Sequence, residues 1–498
     1  MRGPGEARLL ASGALLQQLA QASGLLALLV IVTLLARRLD SVAELGAYGL
    51  VASLAGYLLV LRNSVASSAV RAMAGAEGDE RAAVFVVARR LYALVGAATG
   101  VLIALVAVAL AGVVLDGELA SDARAGGIGL GALTAVGIAA SVNLDRLRAE
   151  RMFPRAALAE IAAVAVNLAM MVTLVLAGAD LALLIALSGA LPLLSGLICW
   201  ALLRRYGLAA RASRAVGGHT AAIVPTAGWL LVIELSNLAM YASGRIILGA
   251  YRTPRAVGLY EGPVRAHNLL YALGGALAVP TVPTASRYVA TDDRRRLHEL
   301  AVRGSRYTLA LFVPLCVTLM ALAEPIIGAW LGERYTDGAG ALTILVSYWL
   351  VYGALIVTPG FLAGAGEARA AGLTLACAAG VNLVLALVLT PELGVEGPAV
   401  ATAGALAAAF PVLLRVGLRA SGVPLGELLR RAAAPAYAGG ALLAGVLVGV
   451  RLLLDPDSLP AVAILAIGGV ALYWIAFYAL VLDDGERGLV RGLLRRGG

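Results

Sequence analysis

Gly46-Ala47-Tyr48 returns as Gly258-Leu259-Tyr260, Val166-Asn167-Leu168 as Val381-Asn382-Leu383, and Pro192-Leu193-Leu194 as Pro411-Val412-Leu413, always in the same order. The recurrences lie roughly 200 residues apart and occupy matching places in the hydropathy pattern, so the chain carries one layout twice. A duplicated half made of apolar helices is a transporter's construction, because two similar bundles can rock about a fixed site.

Working outward from these triplets, the composition places the chain in a bilayer. Of its 498 residues 61% are hydrophobic and only 14% charged, with a mean hydropathy of +0.90; a soluble globule needs more polar surface. A helical span needs about 20 apolar residues. Such runs centre near residues 23, 60, 103, 135, 166, 191, 234, 271, 314, 350, 381, 406, 441 and 470. The period-2 alternation of a barrel is absent. The prediction is an all-α polytopic membrane protein of about fourteen transmembrane helices. Its first apolar run, from Arg8 to Leu35, is too long for a signal-peptide core and reads as an uncleaved first helix.

The repeat sets the expected organisation: an N-terminal six-helix lobe over 1–205, a cytoplasmic linker over 206–219, a second six-helix lobe over 220–420, and two further helices with a basic tail over 421–498. Six spans return the chain to its starting side, so the two repeats are parallel. All basic residues are Arg, and most fall in alternate connections: Arg81, Arg89 and Arg90, Arg146 to Arg155, Arg204 to Arg214, Arg287 to Arg306, and Arg487 to Arg496. The intervening loops carry Asp116, Glu118, Asp180, Glu333, Asp337, Glu392 and Asp455. This bias predicts both termini in the cytoplasm and a multi-pass protein of the cytoplasmic membrane. The net charge of +9 then reflects topology and not nucleic-acid binding.

No metal, phosphate-loop or nucleophile-elbow motif is present, so no enzyme, cofactor or metal site is expected. Cys199, Cys316 and Cys377 lie in different spans and are read as packing residues. The short loops leave no room for an extramembrane catalytic domain, which argues against a membrane glycosyltransferase or polymerase. Proline within spans, at Pro192, Pro225, Pro263, Pro280, Pro283, Pro314, Pro359 and Pro411, predicts bends.

The informative residues are ionisable groups inside spans, which are costly in lipid and usually face a polar interior. Arg62 lies deep in the second span, and Arg245 and Arg265 in the seventh and eighth. Glu234 shares a helix face with Arg245, with Asn237 and Tyr241 nearby; Gln17 and Gln21 form a polar stripe on the first span. Glu261 and Arg265 are spaced to neutralise each other, and His267 reads as a hydrogen-bonded packing residue. The expected interior is polar and net positive. Such an interior suits a phosphate or pyrophosphate, because a guanidinium fork matches its oxygens. A cation-coupled drug exporter of similar build would instead need carboxylates. Glu234 is the candidate for coupling, because its charge state would decide whether it competes with an anion for Arg245.

Leu34-Leu35-Ala36-Arg37-Arg38-Leu39 with Glu44-Leu45-Gly46-Ala47-Tyr48, Gly244-Arg245-Ile246-Ile247-Leu248-Gly249, Ala256-Val257-Gly258-Leu259-Tyr260 with Arg265, Trp330-Leu331-Gly332, and Leu393-Gly394-Val395-Glu396-Gly397-Pro398-Ala399 resemble the Wzx-type polysaccharide flippases of the multidrug/oligosaccharidyl-lipid/polysaccharide exporter superfamily. The resemblance runs through essentially the whole chain. It implies two six-helix lobes forming a V around a central cavity. It also implies the flipping of an undecaprenyl-pyrophosphate-linked oligosaccharide, or a related cell-envelope precursor, by alternating access. Arg245 and Arg265 match positions where that family often holds basic residues; with the polar groups read from the spans, the expected substrate contacts are Arg62, Arg245, Arg265, Gln17, Gln21, Asn237 and Tyr241. Membrane lipids and envelope polysaccharide biosynthesis enzymes are the implied partners. A lipid II flippase and a cation-coupled multidrug exporter share this fold and are the alternatives. One departure stands out: Gly244 occupies the place where an acidic residue commonly precedes the arginine.

Overall fold

The computed structural model of the chain describes residues 4–208, 236–241, 243–358, 362, 368–454, 456 and 458–488. Among these residues all regular structure is helical. Ten helical stretches are long and apolar enough to cross a membrane, or up to eleven if Leu181–Leu187 and Leu191–Arg205, bent by 46°, form one span. Of the fourteen predicted centres, the one near 234 lies outside the described residues, as does Glu234 itself; the others fall in helices. Two spans depart from the simple picture. Pro192 begins a helix after a break and so does not kink a continuous one. The run near 350 is divided into Ala339–Ser347, Trp349–Tyr352 and a 3-10 turn at Gly353–Leu355.

The chain forms two compact units, Met1–Glu261 and Gly262–Gly498. The first contains α1 (Pro4–Arg38), α2 (Val42–Gly75), α3 (Gly78–Val114), α4 (Gly117–Ala149), α5 (Phe153–Leu176), α6 (Leu181–Leu187), α7 (Leu191–Arg205), α8 (Ser243–Tyr251) and the start of α9 (Pro254–Ala290). Local chemistry sets the helix ends. Ser41 caps α2 by accepting from the Glu44 amide at 3.2 Å, and the Glu44 carboxylate accepts from the Asp40 amide at 3.2 Å, a reciprocal box. Arg37, Arg146, Arg148, Arg204 and Arg205 sit in last turns, where the helix dipole favours cations.

Helix α4 is the axis of this unit, packing against α2, α3, α6 and α7, while α1 lies along α5. Small residues bring the backbones together, as they must where lipid supplies no hydrophobic drive between helices. A Cβ on Gly100 would stand 2.4 Å from the Gly131 carbonyl oxygen, and one on Gly131 would stand 2.4 Å from that of Gly100. The repeated triplets meet in a second such contact. A Cβ on Gly46 would stand 1.9 Å from the Pro254 carbonyl, and one on Gly258 would stand 2.1 Å from the Val42 carbonyl. The two approaches are reciprocal between the corresponding glycines of the repeated triplets on α2 and α9.

In the second unit α10 (Arg294–Ala321) is the central helix. It packs against α15 (Ala434–Leu454), α16 (Leu459–Leu480) and the π-helical turn Leu429–Ala433. Around it lie α11 (Ala323–Leu331), α12 (Ala339–Ser347) and the paired α13 (Ala368–Leu393) and α14 (Gly397–Ser421). Leu309, Val313, Leu428 and Ala436 form one buried cluster, and Leu443, Leu447, Tyr473 and Phe477 another. Cys199 and Cys316 are buried as expected, whereas Cys377 is exposed on α13.

Candidate functional site

The deepest arginine is Arg245, 3% exposed on α8. Helix α2 brings it a phenol and α9 a carboxylate. Its Nη1 donates to the Tyr57 hydroxyl at 2.5 Å, and its Nε lies 2.6 Å from Oε1 of Glu261, itself 1% exposed. Gly49 makes room for that carboxylate, since a Cβ there would stand 2.3 Å from Glu261 Oε1. Arg245 therefore does not snorkel to the headgroups. The acid missing at Gly244 is supplied from the next helix, a cross-helix pairing no local spacing reveals.

Arg62 sits in a larger network that draws on five helices. Its guanidinium binds the carboxylate of Asp145 and donates to Ser141 at 3.1 Å. Asp145 is fully buried and also accepts from the Tyr92 hydroxyl at 2.7 Å and from Arg148 at 3.1 Å. Arg148 then pairs with Glu160 at 3.0 Å, and Glu160 accepts from Gln17 at 3.1 Å. Two arginines thus meet two carboxylates, and the expected net-positive interior is corrected to a charge-balanced one around Arg62. The reason is the length of α4, which carries Asp145 and Arg148 into the bundle, where the sequence placed them with a cytoplasmic connection. Asp145, Arg148, Glu160 and Tyr92 were missed on that account. The available signal was the i, i+3 spacing of Asp145 and Arg148 at the end of an apolar run.

The other expected residues are distributed as follows. Gln21 is exposed on α1, one turn beyond Gln17. Asn237 and Tyr241 are half-buried and precede Arg245 at four-residue spacing, hence on one helix face. Arg265 is half-buried and belongs to the second unit. There His267 is buried, its Nε2 2.6 Å from the Tyr348 hydroxyl and its ring against Trp349, the packing role expected of it. Among the described residues no group of three or more His, Cys, Asp or Glu is arranged to hold a metal.

Chemically, the first unit offers guanidinium groups held in a low-dielectric interior, each already satisfied by a carboxylate. Such a group can meet an incoming anion by partner exchange, in which a phosphate oxygen takes the place of the carboxylate oxygen and the displaced carboxylate must be met by a proton or by another donor.

Comparison with known proteins converges on the same build. The family described as polysaccharide biosynthesis protein matches residues 34–339, more than half of the chain. A probable low-salt glycan biosynthesis flippase of Haloferax volcanii is 22% identical over 213 residues, 43% of this chain and 44% of that protein's own length. The chain thus matches less than half of this relative. Among solved structures, the lipid II flippase MurJ in an inward closed conformation aligns with a TM-score of 0.70 at 14% identity, covering 93% of this chain and 99% of MurJ. An inward-facing multidrug resistance transporter of the MATE family aligns with a TM-score of 0.65 at 15% identity, covering 80% and 95%. These likenesses fix the fold as that of a multi-pass, all-α membrane protein, and the match over residues 34–339 shows that the chain belongs to the family of polysaccharide biosynthesis proteins.

Proposed function

We propose that this protein moves a lipid-linked oligosaccharide with a pyrophosphate headgroup, of the undecaprenyl type, from the inner to the outer leaflet of the cytoplasmic membrane by alternating access. The observation that carries the reading is the family match over residues 34–339, a stretch that includes Arg62, Arg245 and Arg265. The two repeats, 1–205 and 220–420, joined by the linker 206–219 and followed by 421–498, are the moving parts in this reading, with both termini cytoplasmic. The protein acts as a carrier and not as an enzyme, alongside the envelope enzymes that build its cargo.

Arg62, Arg245 and Arg265 supply guanidinium groups to the pyrophosphate. Asp145 and Glu261 hold the first two in the empty state and give them up to cargo. Gln17, Gln21, Asn237 and Tyr241 contact sugar or phosphate. Glu234 biases the exchange through its own charge on the face of Arg245.

Cargo export in a strain dependent on this protein tests the reading. Losing one buried charge contact to phosphate costs about 2–5 kcal/mol of cargo binding, so Arg62→Ala should abolish export while inserting and expressing normally, and Arg245→Ala, compared at matched amounts of inserted protein because it also breaks the pair with Glu261, should abolish it as well. Normal export by both variants would overturn the cargo site. For Glu234→Gln, a flattened pH profile of flux is expected, and an unchanged profile with reduced expression would leave it a structural role alone.

A further inference from the structure

The cavity of about 410 Å³ in the first unit has none of the residues of the two buried arginine networks in its lining. It is lined by Phe85 and Arg89 of α3, Ala139, Val142 and Asn143 of α4, Trp200, Leu203 and Arg204 of α7, and Leu208. Three properties of its lining go together. Its two guanidinium groups are exposed, and among the described residues neither Arg89 nor Arg204 has a carboxylate in ion-pair range, unlike Arg81, Arg146 and Arg148 nearby. Arg204 is instead laid flat over the Trp200 ring, 4.0 Å from its centroid. Apart from Asn143, the remaining wall is apolar or aromatic.

The height of the cavity along the helices identifies its surroundings. On α3 the outward-facing apolar surface begins at Leu94, 67% exposed, little more than one turn beyond Arg89. On α7, Leu197 and Trp200 are exposed two turns and one turn before Arg204. Both arginines therefore stand at the edge of an exposed apolar band, with an indole at the same level, which is the chemistry of the headgroup layer. Cations there are attracted to anionic lipids.

We propose that this cleft is a binding site for an anionic glycerophospholipid. The lipid's phosphate is held between Arg89 and Arg204, its headgroup occupies the cavity beside Asn143, and its acyl chains run over Leu94 and Leu197. Charge complementarity commits the site to an anionic lipid: two cations that have no carboxylate partner among the described residues face a space with no acid in its lining. The apolar band commits it to a lipid and not a free phosphate, because a soluble anion leaves that band unused. The site is separate from the cargo site proposed above, so either can fail without the other.

Native mass spectrometry of the full-length protein, released from nanodiscs containing phosphatidylglycerol and phosphatidylcholine, reads out the site directly. The wild type should retain phosphatidylglycerol over phosphatidylcholine by about tenfold or more. Arg89→Gln/Arg204→Gln should lose that preference, whereas Arg294→Gln, which alters an exposed arginine of the second unit, should keep it. Asn143→Leu, which leaves both cations in place and makes the headgroup space apolar, should weaken retention as well. Thermal melting in detergent verifies that each variant is folded; the single substitution Arg204→Gln, on an exposed side chain, replaces any that is not. Unchanged preference in the double variant or in Arg204→Gln overturns the proposal. Displacement of the retained lipid by inorganic phosphate, or by a polyprenyl pyrophosphate at equal concentration, overturns it too, by making the site one for free anions or for cargo.

Discussion

An arginine buried among apolar helices is tolerable only if its charge is met, and Arg245 shows what that requires. Glu261 supplies the charge, Tyr57 a further acceptor, and Gly49 the space. Breaking a buried pair by removing one partner costs about 3–5 kcal/mol, because the other charge is left bare. Glu261→Gln and Arg245→Gln should therefore each lower the melting temperature in detergent sharply. The double variant should be much less unstable than the sum of the two, giving a favourable coupling in a double-mutant cycle. Additive losses would show that the pair is not coupled. Tyr57→Phe removes only a hydrogen bond to a charged group, worth about 1.5–3 kcal/mol, and its melting temperature should fall between those of the wild type and Arg245→Gln. Asp145 differs from Glu261 in number of donors. It accepts from Arg62, Arg148 and Tyr92, so Asp145→Asn leaves Arg62 without its carboxylate and Arg148 with Glu160 alone, whereas Arg62→Gln strands no charge fully, since Asp145 still keeps Arg148 and Tyr92. Asp145→Asn should be the more destabilising of the two in the same melting assay; the reverse order would contradict the network.

At the scale of elements, glycine placement decides how closely the helices approach. Gly100 and Gly131 put α3 and α4 backbone against backbone, and Gly46 and Gly258 do the same for α2 and α9. Nothing at these contacts is a flexible side chain that can step aside, since the obstructing atoms are carbonyl oxygens. Overpacking of this kind costs about 1–3 kcal/mol or more. Gly258→Val and Gly100→Val should each lower the melting temperature and the yield of correctly inserted protein, whereas Gly445→Val, with open space about its Cβ, should be neutral. The helices themselves were legible in the sequence, because a bilayer imposes long apolar runs, and the triplet Gly46-Ala47-Tyr48 marked a contact that the structure shows to be reciprocal. What the sequence left hidden has one physical origin. A buried carboxylate near a helix end is indistinguishable in sequence from one in a loop, so Asp145 and Glu160, which flank the basic stretch Arg146 to Arg155, were not counted in the interior and its positive charge was overcounted. Glu261 was read with Arg265, its neighbour at i, i+4, and the structure pairs it with Arg245 from the preceding helix. Helical spacing identifies which residues share a face and says nothing of what faces them across a helix boundary.

For the whole molecule, the distribution of arginine makes a claim that helix packing does not. The described helices end in short connections, and those that carry Arg151 and Arg155, or Arg294 to Arg296, alternate along the chain with the acidic ones around Asp116, Asp180 and Asp337. Each basic residue moved across a membrane meets the bilayer's cost for a charge and the opposing potential, so the side richer in Arg is retained inside during insertion. The fourteen-span arrangement with cytoplasmic termini proposed above would place Gly217 inside and Asp337 outside, with an odd number of spans between them. Single cysteines at these two positions, introduced after replacement of Cys199, Cys316 and Cys377, should react oppositely in intact cells with a membrane-impermeant maleimide: Asp337→Cys labelled, Gly217→Cys labelled only after permeabilisation. Equal labelling of both would leave an even number of spans between them and overturn the arrangement of the second half; labelling of Gly217→Cys in intact cells would put an odd number of spans in the first half and invert the second, ending the parallel relation of the repeats.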